Sequence, residues 1–222
     1  MTQDVAIIGA GAFAREVLDV FDAATADGGA LAVCGFVVDA EYGTPGTDIN
    51  GRPILGGFDW LEEHASTVRF ICGVGAPQHR IKLVRRSMAA GARFVSIVHP
   101  SAILTRWVEI GEGVVITAGC ILTNRIRLGN HVQLNLLTTV GHDARLGDFA
   151  TTAPGVNLSG NVTLGEGAYI GTGANVIEKT SIGAWSIVGA GSTVIRDVPA
   201  NSTSVGTPAK VIKERPEGWQ LL

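Results

Sequence analysis

The chain has 222 residues, 46% of them apolar and only 17% charged, with 30 glycines and a net charge of -3. A surface with that balance has no general attraction for phosphate backbones, and the apolar content excludes a disordered linker, so nucleic acid is not an expected partner. No uncharged apolar run approaches the roughly 18 residues of a membrane helix, so a membrane is not expected either.

Met1-Thr2-Gln3-Asp4 places no positive flank ahead of the first apolar stretch, which argues against a signal peptide. The cysteines are Cys34, Cys72 and Cys120, odd in number and without a CxxC pair. Neither a disulfide framework nor a zinc knuckle fits. The expectation is a cytoplasmic protein with three buried, reduced thiols and no metal.

Residues 1–99 alternate short apolar runs with helical stretches. Val5-Ala6-Ile7-Ile8 reads as a buried strand, and Phe13 to Ala26 as a helix carrying Val17, Leu18, Val20 and Phe21. Leu31–Val38, Arg69–Val74 and Arg93–Val98 read as further strands, with a helix over 77–90. This alternation predicts βαβ units and a parallel sheet, a Rossmann-like α/β domain.

Residues 100–222 follow a different rule. From Leu104 to Val194, sixteen positions at strict six-residue spacing are Leu, Ile or Val, except Thr152. A glycine directly follows many of them, as at Gly111, Gly129, Gly141, Gly147 and Gly165. A period of six fits neither an amphipathic helix nor a hairpin sheet; it fits a β-solenoid, in which three hexapeptides make one triangular coil. The repeated aliphatic points inward, and the glycine beside it serves the corner, where a Cβ would clash or φ must be positive.

Four segments carry a family resemblance: Gly9-Ala10-Gly11-Ala12-Phe13, Val98-His99-Pro100-Ser101-Ala102, Gly141-His142-Asp143-Ala144 and Gly206-Thr207-Pro208-Ala209-Lys210. With the hexapeptide period, the chain resembles the hexapeptide-repeat acyltransferases, in the branch that acetylates amino sugars on nucleotide carriers, or sialic acid. The resemblance implies a left-handed β-helix and acetyl-CoA as cosubstrate, and the flat, apolar faces of such a solenoid predict a homotrimer around a threefold axis.

His142 and Asp143 are the catalytic candidates. Neutral imidazole suits a general base for acyl transfer, and a neighbouring carboxylate can fix its tautomer. Adjacent strand residues point to opposite faces, so Asp143 can serve His142 only if the corner bends it back. The resemblance places Asn135 in the same cleft. It assigns acetyl-CoA to Thr151, Thr172 and Ala190, with Lys210 near the CoA phosphates.

Gly9-x-Gly11-x-x-Ala14 opens a helix after a strand, and small residues there let backbone N–H groups approach a phosphate. A sugar-nucleotide site at Gly11, Ala12, Phe13, Asp39 and Gly75 is the preferred reading. Two alternatives stand beside it. An NAD-dependent oxidoreductase would use Asp39 for a ribose hydroxyl, and a non-catalytic solenoid scaffold or sugar-binding module would leave His142 dispensable.

Overall fold

The computed structural model describes residues 2–26 and 28–221, and the chain forms two compact units that divide after Pro100. In the first unit, β1 (Gln3–Ile8), β2 (Leu31–Val37), β4 (Arg52–Gly56) and β5 (Arg69–Cys72) run parallel, and β3 (Asp48–Ile49) closes one edge antiparallel to β4. The sheet order is β3-β4-β2-β1-β5. Helices α1 (Ala12–Thr25), α2 (Phe58–His64) and α3 (Pro77–Ala89) complete the unit.

Helix α1 buries Ala14, Val17, Leu18 and Phe21, the i, i+3, i+4, i+7 stripe of a helix packed on a sheet. On the sheet Val5, Ala6 and Ile7 are fully buried, as expected of a parallel strand.

Two expectations change here, and one segment gains elements. The strand read over Arg93–Val98 contracts to a bridge between Phe94 and Phe70 and a two-residue strand at Ile97–Val98. The segment 48–64, without an assignment from the sequence, supplies β3, β4 and α2. Cys34 is half-buried rather than buried, whereas Cys72 and Cys120 are buried.

The second unit is a left-handed parallel β-helix with three sheet faces. The first face stacks Ile103–Leu104, Ile121–Leu122, Thr139–Val140, Asn157–Leu158, Asn175–Val176 and Thr193–Val194. The second stacks Val108–Ile110, Ile126–Leu128, Arg145–Leu146, Thr163–Leu164 and Ser181–Ile182. The third runs from Val115–Ile116 through Gln133–Leu134, Thr151–Thr152, Tyr169–Ile170 and Ile187–Val188 to Ser202–Val205, then turns back antiparallel in Lys210–Glu214. In-register partners between coils lie 18 residues apart, as in Ile121↔Thr139.

From Ile116 to Val194 every repeat position points inward and is buried; on the first coil Leu104 is half-buried and Ile110 exposed. Each fully buried aliphatic contributes about 1.5–3 kcal/mol relative to exposure, and the rungs sum along the stack. Thr152 fits among them because its hydroxyl is satisfied: its Oγ1 lies 2.9 Å from Thr138 Oγ1, and Thr138 donates to Asn135 O at 2.7 Å.

The corners divide two tasks that the sequence suggested fall on one glycine. The glycine directly after the aliphatic supplies space. A Cβ on Gly141 would lie 2.5 Å from Gly160 N, and one on Gly111 2.7 Å from the Gly129 backbone. Positive φ belongs two residues further on, at every sixth position from Gly113 to Gly191. Eight of those positions are not glycine, among them Arg125, Asp143 and Asn161. Left-handed geometry costs an ordinary residue roughly 1–2 kcal/mol, and the coil-to-coil hydrogen bonds hold it, as Asp143 N–H does to Asn124 O at 2.9 Å.

Candidate active site

His142 is the second residue of the corner between the first and second faces, and Asp143 is the third. Asp143 has φ +60, and this left-handed turn brings its carboxylate back beside its neighbour: Asp143 Oδ2 lies 2.9 Å from His142 Nδ1. A carboxylate only accepts, so Nδ1 carries the hydrogen and the lone pair stands on Nε2. The other oxygen, Oδ1, lies 3.4 Å from Arg125 Nε. The histidine side chain is 64% exposed, so Nε2 is open to a ligand.

One coil above, at the position equivalent to His142, stands Gly160. A Cβ there would lie 2.6 Å from His142 Nε2 and 2.7 Å from Cε1. The missing side chain is the seat of the imidazole. The Gly160 N–H makes no hydrogen bond to a backbone acceptor among the described residues. At the next corner the equivalent N–H groups are taken, Glu112 by Asn130 Oδ1 and Asn130 by Asp148 Oδ1. An open N–H beside the imidazole is a donor for a developing oxyanion. The sequence reading missed Gly160, although a glycine one 18-residue period after a corner histidine was a legible signal.

The other solenoid candidates lie elsewhere. Asn135 opens the corner between the third and first faces, is buried, and spends its Nδ2 on Thr152 O at 2.8 Å. Thr172 and Ala190 are exposed and stack one coil apart on that same corner. Thr151 sits on the third face, 1% exposed, with its Oγ1 3.4 Å from Phe149 O, so it does not share their column and offers no open side chain. Lys210 is exposed on the final antiparallel strand. Within one chain, therefore, His142 and Asp143 occupy one edge of the first face, while Asn135, Thr172 and Ala190 occupy the opposite edge.

The first unit carries a cavity of about 510 Å³ at the carboxyl ends of β1 and β2, where parallel sheets place ligands. Gly9, Gly11, Val38, Asp39, Tyr42 and Phe58 line it, and α3 adds His79 and Lys82. Gly9 has φ +98 and makes the turn. Gly11 is the N-cap of α1 with no side-chain cap, and its missing Cβ faces open space. Asp39 pairs with Arg86 at 2.9 Å, and Arg86 lies over the Phe58 ring at 3.6 Å. Ala12, Phe13 and Gly75 do not line the cavity; Phe13 and Gly75 meet each other, with a Cβ on Gly75 falling 3.8 Å from the ring.

Arg80 is fully buried and donates from Nη1 to Val74 O and Gly75 O at 2.9 and 2.8 Å, fixing the loop after β5. Burial lowers its pKa to about 10, which leaves it charged at neutral pH. Tyr42, His79 and Lys82 were not read from the sequence, because no local motif marks a cavity wall.

Among the described residues, no group of three or more His, Cys, Asp or Glu could hold a metal ion, and no helix is long and apolar enough to cross a membrane.

A triangular β-helix with a histidine–acid corner, behind a small α/β unit with a glycine turn, defines a hexapeptide-repeat acyltransferase. Residues 4–87 match the family described as the PglD N-terminal domain. The chain is similar over 96% of its length, at 33% identity and a TM-score of 0.87, to a perosamine N-acetyltransferase from Caulobacter crescentus, solved with CoA and GDP-perosamine, including as a histidine-to-asparagine mutant; 99% of that chain is covered. It is 30% identical over 96% of its length to the acetyltransferase domain of PglB from Neisseria gonorrhoeae, solved with acetyl coenzyme A, covering 100% of it at a TM-score of 0.87. WeeI from Acinetobacter baumannii matches at 30% identity, 95% and 100% coverage and a TM-score of 0.84. A comparison with curated proteins gives no match. The chain belongs to the hexapeptide-repeat sugar N-acetyltransferases. Membership replaces the oxidoreductase reading.

Proposed function

We propose that this protein transfers the acetyl group of acetyl-CoA to an amino group of a nucleotide-linked sugar, in the cytoplasm, for the assembly of a surface glycan. The observation that carries this reading is the His142–Asp143 pair at 2.9 Å beside the open Gly160 N–H. His142 Nε2 takes a proton from the acceptor amine as nitrogen attacks the thioester carbonyl. The imidazolium is stabilised by Asp143, and the Gly160 N–H donates to the oxyanion. Collapse breaks the C–S bond, and the proton held on Nε2 passes to the departing sulfur, giving the amide and free CoA.

The nucleoside belongs in the cavity of the first unit, against Val38, Phe58 and Tyr42, with a phosphate at the Gly11 turn. The pantetheine arm belongs along Thr172 and Ala190. Because that column and His142 lie on opposite edges of one face, a second copy must bring its own histidine to this chain's column. That requirement supports a homotrimer, in which each groove has walls from two chains.

A screen of sugar nucleotides bearing a free amine, with acetyl-CoA and thiol release as the readout, tests the activity. Light scattering tests the assembly. A stable, active monomer near 23 kDa would overturn the shared groove.

A further inference from the structure

Between Gly113 and Gly191 each corner of the solenoid takes one residue at positive φ. The corner between the second and third faces has glycine there at Gly113 and Gly167, and the corner between the third and first faces at Gly119, Gly155, Gly173 and Gly191. The corner that carries His142 has none. Its left-handed positions are Arg125, Asp143, Asn161 and Lys179, at φ +54 to +60. An arginine pays for that geometry where a glycine would not, and strain of this kind gathers where side chains serve function. Asp143 has such a use. Arg125 stands one coil below it, and its ion-pair partner is Asp143.

The two oxygens of Asp143 have separate partners. Oδ2 lies 2.9 Å from His142 Nδ1, and Oδ1 lies 3.4 Å from Arg125 Nε. The last torsion of an aspartate is broad and twofold, so a carboxylate held at one oxygen swings out of line with the imidazole. Arg125 holds the far oxygen from the coil below and stops that swing. The other charges around the corner are placed differently. In the His142 column Arg106 is two coils below and Glu178 two coils above, and Lys179 is two coils above Asp143. On the second face Arg127 pairs with Glu109 at 3.0 Å. Neither Arg127 nor Arg145 makes an ion pair with Asp143 among the described residues. The Arg125 side chain is 79% exposed, so the pair adds little to stability. Its effect is orientation, which strengthens when substrates cover the corner and displace water.

We infer that Arg125 is a positioning residue for the base: it holds the Asp143 carboxylate in line with Nδ1, which keeps the hydrogen on Nδ1 and the lone pair on Nε2. The role rests on the acetyl transfer proposed above. Arg125 acts through Asp143 and needs no contact with either substrate.

The test uses the full-length protein with Arg125→Gly and Arg125→Lys. Glycine removes the side chain from a backbone that favours glycine, so the melting temperature should hold or rise. The kcat should fall roughly 3- to 10-fold, a fraction of what a general base contributes. Both KM values should change less than twofold, and Arg125→Lys should recover part of the lost kcat. The tautomer is read without turnover, from the ring nitrogen NMR shifts of labelled histidine, assigned with His142→Ala, at about pH 8.5, above the ordinary histidine range. In wild type the His142 shifts are expected to be those of a ring protonated at Nδ1 alone. In Arg125→Gly they should move toward those of a free imidazole. A kcat equal to wild type overturns the role, and so do His142 shifts that stay in place. A higher acceptor KM with kcat intact makes Arg125 a substrate contact and overturns it as well. If wild type acetylates no sugar nucleotide yet its His142 shifts move on loss of Arg125, the proposed activity fails while the positioning role stands.

Discussion

Gly160 and His142 meet across one coil of the solenoid, with the place of the missing Gly160 Cβ only 2.6 Å from His142 Nε2. The Gly160 φ is not in the left-handed region, so an alanine could adopt this backbone; what the site forbids is its volume. Gly160→Ala must push the ring aside and carry Nε2 with it, while keeping the backbone N–H. Displacements near 1 Å cost about 100-fold in well-aligned sites. The expected outcome is a kcat lowered roughly 10- to 100-fold with an unchanged acetyl-CoA KM and an unaltered melting temperature. Wild-type turnover would show that the ring is not held where the reaction needs it.

His142→Ala is expected to lower kcat by about 10²-fold or more, the usual loss on removing a general base, with little change in acetyl-CoA affinity by calorimetry. Asp143→Asn keeps the shape but lets the side-chain amide donate to Nδ1, which favours the tautomer with its hydrogen on Nε2. Its kcat should fall as well, by less. Turnover near wild type in both variants would return the solenoid to a scaffold or a binding module.

The solenoid was legible because one period dictates it: each sixth residue is an inward aliphatic, and the strand pairing follows from that spacing alone. The histidine–acid pairing was not, because it depends on Asp143 taking φ +60, and the sequence does not mark which corner residue turns left-handed when most are not glycine. In the first unit β3 and β4 escaped for a different reason. Their signal was Asn50-Gly51, which adopts φ +51 and +79 in the turn of the hairpin, a pair favoured in such turns, but the strands around it are short and interrupted by Pro53.

Burial raises the Cys72 thiol from an ordinary 9.0 to about 11, with Arg80 opposing. The native state then holds a proton that the unfolded chain has released. The stability this contributes is fully present below about pH 9 and is lost as pH rises through about 11. Denaturant unfolding should show stability falling across that window by on the order of 1 kcal/mol per pH unit. Arg80, whose pKa burial lowers to about 10, acts in the opposite sense above pH 10 and is present in both chains compared. Cys72→Ala should therefore flatten the profile between pH 9 and 11. Parallel profiles for the variant and wild type would mean that the thiol ionises elsewhere.

The division of labour between the units makes the last prediction. The solenoid buries its own stack of aliphatic rungs from Ile116 to Val194, and repeat architectures of this kind hold together through neighbour-to-neighbour contacts. A chain starting near Val98 should fold, assemble and bind acetyl-CoA, because Thr172, Ala190 and His142 all lie beyond that point. It should lose most of its affinity for the sugar nucleotide, because the cavity that takes the nucleoside and the Gly11 turn beside it are gone. Gly11→Trp in the full-length chain should reproduce the loss. The missing Gly11 Cβ faces open space at the N-terminus of α1, so the helix tolerates the side chain and the ring fills the place of the phosphate. Isothermal titration of both variants with both ligands separates the outcomes. Full affinity for the sugar nucleotide in the truncated chain would make the first unit a structural appendage and place the whole acceptor site on the solenoid.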